Sequence, residues 1–216
     1  MKASSNTKKQ DLNTRLVVAA WSLSALVAIL AFIAWGASYQ WRPANINAYT
    51  LFPLLGLVAF SVMWSHYIAS VARQILTIPS HVLRKYFNVT SFIVLILICA
   101  HPGILIYQRY RDGFGLPPGS YHSYVAPGLG WITTLGSVCL LVFIAYEFRR
   151  KFKKNSWWRY TQYLVDAAMI GILYHSLKLG NQLQSGWLQK VWYFYGVSLV
   201  GCLIYQYYQN YKNRSI

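Results

Sequence analysis

Residues 86–108 read YFNVTSFIVLILICAHPGILIYQ, an apolar stretch closed by Arg84-Lys85 at one end and by Arg109 and Arg111 at the other. About 20 apolar helical residues cross a bilayer, so this stretch predicts a membrane span. Five more runs of the same character lie at roughly 16–36, 49–75, 127–148, 159–180 and 189–209. In lipid only helices or closed barrels satisfy their own backbone groups, and these runs lack the alternation of barrel strands. The expected fold is an all-α membrane protein, a bundle of six transmembrane helices.

Composition points the same way. The chain of 216 residues is 56% hydrophobic, 17% aromatic and 11% charged, whereas a soluble domain carries about 25% charged residues. Asp11, Asp112, Glu147 and Asp166 are the only acids, and the net charge is +16. A nucleic-acid-binding protein gathers its basic residues on a folded face. Here they sit in short clusters between apolar runs, the pattern that sets membrane topology. The expected surroundings are therefore a lipid bilayer, with no nucleic acid as partner. Cys99, Cys139 and Cys202 all fall inside apolar runs and read as small packing residues, with no disulfide framework implied.

Basic residues favour the cytoplasmic side. With the N-terminus inside, that side holds Lys2, Lys8, Lys9, Arg15, Arg73, Arg84, Lys85, Arg149, Arg150, Lys151, Lys153, Lys154, Arg159, Lys212 and Arg214. The outer side keeps Arg42, Arg109, Arg111, Lys178 and Lys190. Both termini are thus expected to be cytoplasmic, in a multi-pass protein of a bacterial inner or plasma membrane. Tyr39-Gln-Trp41, Trp157-Trp158 and the tyrosines from Tyr205 to Tyr211 fall where helix ends meet headgroups. The run at 16–36 is longer than the apolar region of a signal peptide and reads as a retained helix. The expected organisation is a tail at 1–15, one membrane domain at 16–209 and a tail at 210–216. The longest connection, about 109–126, is a Gly/Pro-rich outer loop. No GxGxxG or P-loop occurs, so any chemistry is expected within the membrane or with partners.

Metal-binding and ionisable side chains inside a membrane are costly and are functional candidates by default. His101 lies 16 residues after Lys85, and His175 lies 16 residues after Arg159. At 1.5 Å per residue both imidazoles sit about 24 Å above the cytoplasmic edge. Two helices thereby offer a histidine at one depth, as a bis-imidazole haem requires. The plainer alternative is two unrelated histidines, each bonded to a neighbouring helix. Pro102 follows His101 and removes the helical donor to the Ile98 carbonyl, so a kink is expected there.

The segment Cys99-Ala-His101-Pro102-Gly-Ile-Leu resembles the third helix of the ferric-reductase-like transmembrane family. Trp158-Arg159 followed by Tyr174-His175-Ser-Leu-Lys-Leu-Gly180 resembles its fifth helix and the loop beyond. The family includes ferric reductases, NADPH oxidases and the membrane haem subunit of a periplasmic methionine sulfoxide reductase system, and the resemblance covers roughly 50–208. Two-haem members carry a second histidine 14 residues earlier on the third helix and 13 earlier on the fifth. Those positions here are Phe87, beside Asn88, and Gln162, neither an iron ligand. The resemblance therefore implies one b-type haem, at the outer position, with His101 and His175 as its ligands.

Several other residues are expected around that site. Arg109, Arg111 and Lys178 lie on the outer side, where they can pair with haem propionates, and His122 of the outer loop can cover the haem edge. The vacated inner slot, near Phe87 and Gln162, can hold a flavin or quinone, with His66 and Asp166 at similar depth. His81 reads as a solvated loop residue. Arg149–Lys154 reads as a topology determinant beside anionic lipid, with docking of a donor domain as the alternative.

A saturated bis-histidine haem shuttles electrons. The implied function is electron transfer from a cytoplasmic or membrane donor, either a separate flavin reductase or a quinone. The acceptor lies outside: a metal ion, oxygen or a periplasmic redox partner. The chain then reads as an oxidoreductase membrane subunit. One alternative is a non-catalytic scaffold or partner subunit that keeps the fold, with a structural haem or none. Another is a proton-coupled transporter using His66 and Asp166, although no internal repeat or broken helix is evident in the sequence.

Overall fold

The computed structural model describes residues 2–147 and 160–213, with side chains throughout except at 2–8 and 122. The basic cluster Arg149–Lys154, the pair Trp157-Trp158, Arg159 and Arg214 lie outside the described residues. Every described element is helical: α1 (Lys2–Ser38), α2 (Ala48–Ile75), α3 (Arg84–Arg111), the single turn α4 (Gly119–His122), α5 (Gly130–Glu147), α6 (Thr161–Leu179) and α7 (Trp187–Lys212). Four segments, Lys9–Ser38, Ala48–Ile75, Ser80–Arg111 and Gly130–Glu147, are long and apolar enough to cross a membrane.

α6 and α7 have the length but not the hydropathy. Asp166, His175 and Lys178 dilute the first, and the tyrosines from Tyr193 to Tyr211 dilute the second. α1 begins at Lys2, well before the apolar run at 16, so the segment expected as a tail continues the helix. α3 is one continuous helix with Pro102 inside it.

Cross-helix bonds fix the threading. Ser24 of α1 meets Ser65 of α2 at 2.8 Å, and the Trp35 indole donates to the Thr50 carbonyl, so α1 and α2 are antiparallel. Contacts between α2 and α3 and between α5 and α6 also pair early residues of one helix with late residues of the other. These are two antiparallel hairpins. α7 runs parallel to α2, with Phe60 against Trp192 at 5.2 Å and Trp64 stacked on Tyr195 at 4.2 Å. It runs antiparallel to α6, with Trp192 Nε1 donating to Ser176 Oγ at 2.8 Å.

The core lies along these interfaces, where Trp192, Phe60, Leu199 and Met169 are almost wholly enclosed. Outward faces are apolar instead of charged: Val197 is 75% exposed, and Leu141 and Ile204 are each 65% exposed. In water such a surface would associate, whereas against lipid it is solvated. Asn47 caps α2 reciprocally with Thr50, its Oδ1 accepting from the Thr50 N–H at 3.1 Å. That cap starts α2 just ahead of Phe52, which bears on the site.

Candidate functional site

The two hairpins present His101 and His175 near the same end of the bundle. His101, late in α3, faces the start of α2, where its Nδ1 lies 2.6 Å from the Phe52 carbonyl oxygen. His175, late in α6, faces the start of α5, where its Nδ1 lies 2.8 Å from the Ile132 carbonyl oxygen. A backbone carbonyl only accepts, so each Nδ1 must carry the proton. Each Nε2 is then the lone-pair nitrogen, and no hydrogen bond occupies it among the described residues. Each histidine is thus tied to a neighbouring helix, as the plainer alternative expected, but through one nitrogen only. A metal-ligating histidine has the same arrangement, with one ring nitrogen anchored and the other open.

Both rings lie against a glycine. A Cβ built on Gly56 would stand 2.8 Å from His101 Cε1, and one on Gly136 would stand 2.6 Å from His175 Cε1. These glycines and the two carbonyls were not singled out from the sequence. The spacings Phe52-x-x-x-Gly56 and Ile132-x-x-x-Gly136 were the available signal.

Among the basic residues expected on the outer side, Arg109 is the buried one, 7% exposed. Its guanidinium lies 3.5 Å over the Phe114 ring and 5.7 Å from the Tyr124 ring, and Nη2 donates to Ser123 Oγ. Its Nε has no partner, and no ion pair reaches it among the described residues. Asp112, three residues on, is engaged by Tyr49 and by Gln108 Nε2. Burial pushes the Tyr124 phenol up to about 12, so that ring faces Arg109 as a neutral group. Tyr124 packs edge-on against Phe52 at 5.9 Å, and Phe52 packs against His101 at 5.2 Å. Arg109 is therefore separated from His101 by two rings, those of Tyr124 and Phe52.

Arg111 and Lys178 are exposed. The Lys178 ammonium sits 5.8 Å from the Tyr174 ring on an outward-facing surface, so neither residue is brought to the histidines. The backbone of His122 closes α4 within the outer loop, and its side chain lies outside what the structure describes. His81 is exposed in a turn before α3.

The part of the bundle toward the opposite end is filled differently. Phe87 packs edge-on against the His66 ring at 5.4 Å, and His66 Nε2 lies 2.6 Å from Thr90 Oγ1. Asp166 accepts from Tyr67 at 2.8 Å, from Tyr207 at 2.6 Å and from Gln162 Nε2 at 3.0 Å. Between the hairpins remains a cavity of about 110 Å³, lined by Met63, His66, Tyr67, Ile98, Tyr146 and Met169 among others. Cofactor pockets span about 300–1,000 Å³, so as shaped this space suits a few water molecules. On the other side of Asp166 a crevice of about 430 Å³ opens outward between α6 and α7. Among the described residues no group of three or more His, Cys, Asp or Glu converges on a point, and a bis-histidine haem needs none. Comparison with protein-family models, with curated proteins and with solved structures finds no match.

Proposed function

We propose that the chain is a six-span membrane protein of the ferric-reductase-like kind that holds one b-type haem between His101 and His175 and passes electrons outward. The observation that carries this is the paired histidine geometry. Two hairpins each offer one imidazole at the same end of the bundle, with Nδ1 anchored on a carbonyl and Nε2 open. Unrelated core histidines have no reason to repeat that arrangement.

Three further features support the reading. α6 and α7, at 19 and 26 residues, are about 28 and 39 Å long, enough to cross with the other four. The threading puts residues 76–83, Glu147 and Thr161 at one end and the loop 112–129 at the other; with the side richer in basic residues taken as cytoplasmic, the histidines belong to the outer half. Arg109, buried with an unpartnered Nε and no ion pair among the described residues, suits a haem propionate.

A bis-imidazole haem, when bound, supplies a one-electron Fe(III)/Fe(II) couple with no open position for a substrate. The protein's part is to hold both imidazoles as neutral Nδ1–H tautomers, to neutralise a propionate through Arg109 and to keep the site in an apolar setting. The donor is a cytoplasmic flavin reductase or a membrane quinone, and the acceptor is a metal ion, oxygen or a redox protein outside. Phe87 and Gln162, which pack and hydrogen-bond where an inner haem pair would stand, favour a second reading, a partner subunit without catalysis.

The test is the reduced-minus-oxidised spectrum of the purified protein beside His101→Ala, His175→Ala and His66→Ala. A low-spin b-type spectrum at one haem per chain is expected, lost in the first two variants and retained in the third. No haem in the wild-type protein, after expression with haem supplied, sinks electron transfer and leaves the scaffold reading.

A further inference from the structure

We propose that Gly56 and Gly136 are positioning residues for the two iron ligands. Each clears the slot through which an imidazole reaches a helix carbonyl that is already in use. The inference rests on the haem reading above. In an α-helix the carbonyl of residue i accepts from the N–H of residue i+4. The Phe52 carbonyl therefore points at residue 56, and the Ile132 carbonyl at residue 136. A second donor coming from the side must pass the Cβ of that same residue. At both sites the residue is glycine, and at both the second donor is an imidazole Nδ1–H.

The distances show that glycine is required. An added Cβ would meet His101 Cε1 and Nδ1 at 2.8 and 2.9 Å, and His175 Cε1 and Nδ1 at 2.6 and 2.7 Å. The ring has no flexible end to move aside; it must leave the carbonyl or the helices must part. Nor do all the glycines in the spans do this. Gly103, two residues from His101, and Gly201 on α7 have nothing within 4 Å of an added Cβ. An added Cβ on Gly171 would stand 2.8 Å from Cys139 Sγ and one on Gly196 3.0 Å from Leu173 Cδ2, so these glycines also permit close helix packing, but against no imidazole. Among the described glycines, those that face an imidazole are the two that follow its carbonyl acceptor by four residues.

The consequence for the iron is electronic as well as geometric. A carbonyl accepting from Nδ1–H makes Nε2 a stronger donor, and loss of such an outer partner typically costs 10–100-fold in metal affinity. The stronger donor favours the ferric state. Crowding the slot with Gly56→Ala or Gly136→Ala should therefore weaken haem retention by roughly 10–100-fold, raise the midpoint potential and bring high-spin character into the ferric spectrum. Gly103→Ala and Gly201→Ala should change none of these.

Haem transfer to an excess of an apo-haem acceptor protein, potentiometric titration and electron paramagnetic resonance of the full chain in detergent read the three effects. Folded Gly56→Ala and Gly136→Ala proteins with wild-type haem retention, potential and low-spin signal overturn the proposal and leave the haem reading standing. A wild-type chain without haem sinks both. Should the alanine variants fail to fold, the wild-type ferric protein still decides. Two Nδ1 protons that exchange slowly with deuterium in proton magnetic resonance are the expected result, and freely exchanging ones overturn the proposal.

Discussion

Removing the Asp166 carboxyl group tests what holds the inner half of the bundle together. Two of its three hydrogen bonds cross between helices, from Tyr67 of α2 at 2.8 Å and from Tyr207 of α7 at 2.6 Å; Gln162 is on its own helix. Side-chain bonds between membrane helices average about 0.6 kcal/mol and reach about 1.7 kcal/mol. Two such bonds contribute about 1–3.5 kcal/mol, and Asp166 itself is 4% exposed. Asp166→Ala should cost about 2–4 kcal/mol. Asp166→Asn should cost about half as much, because its carbonyl still accepts from Tyr67 while its amide faces Tyr207. Unfolding in mixed micelles with rising dodecyl sulfate, followed by tryptophan fluorescence, measures both, and a cycle with Tyr67→Phe isolates one bond. A loss below about 0.5 kcal/mol for Asp166→Ala, or no coupling in the cycle, refutes the cross-link and revives Asp166 as a proton carrier.

Two further predictions follow from the outer side. Arg109→Gln should keep the haem but lower its midpoint potential, because a positive charge near the iron favours the ferrous state. One charge roughly 10 Å away at an effective dielectric near 20 corresponds to about 1.7 kcal/mol, or about 70 mV; redox titration checks it, and an unchanged potential removes Arg109 from the site. The threading is checked in a background with Cys99, Cys139 and Cys202 replaced by alanine. Ser185→Cys should label with a membrane-impermeant maleimide in intact cells and Ser80→Cys only after permeabilisation, whereas labelling of both from one side contradicts the three crossings, α3, α5 and α6, between them.

The sequence made the helices legible because lipid demands long apolar runs, and α3 outgrows its run at 86–108 by only two or three residues at each end. It missed the helical extension of α1 because hydropathy says nothing about a polar helix outside the apolar layer. Relative depth was legible too: His101 and His175 reach the same end of the bundle, and His66 and Asp166 lie toward the opposite end. Rotation about each helix axis was not legible. That rotation turns Asp166 onto Tyr67 and Tyr207, points Lys178 outward along Tyr174, and sets Phe87 against His66. The burial of Arg109 depends on the loop that brings Phe114, Ser123 and Tyr124 back over the end of α3. A backbone acceptor has no sequence signature, so the Phe52 and Ile132 carbonyls became visible only once the helices were paired.

The two halves of the bundle are joined by different means. In the inner half, hairpin meets hairpin through protein bonds, above all Tyr67 of α2 on Asp166 of α6. In the outer half the histidine bonds stay within a hairpin, His101 on α2 and His175 on α5, and each Nε2 faces away from its own anchor. The 14 residues from Phe52 lead to His66, and the 14 from Ile132 lead to Tyr146. The corresponding inner positions thus carry a histidine bonded to Thr90 in one hairpin and a phenol bonded to Gln162 in the other. A second bis-histidine site has no counterpart there, and its place is taken by hydrogen bonds that need no cofactor. A group bound through both Nε2 atoms would do for the outer half what Asp166 does for the inner half. Loading the outer site should therefore tighten the contact between hairpins whose inner ends are already fixed.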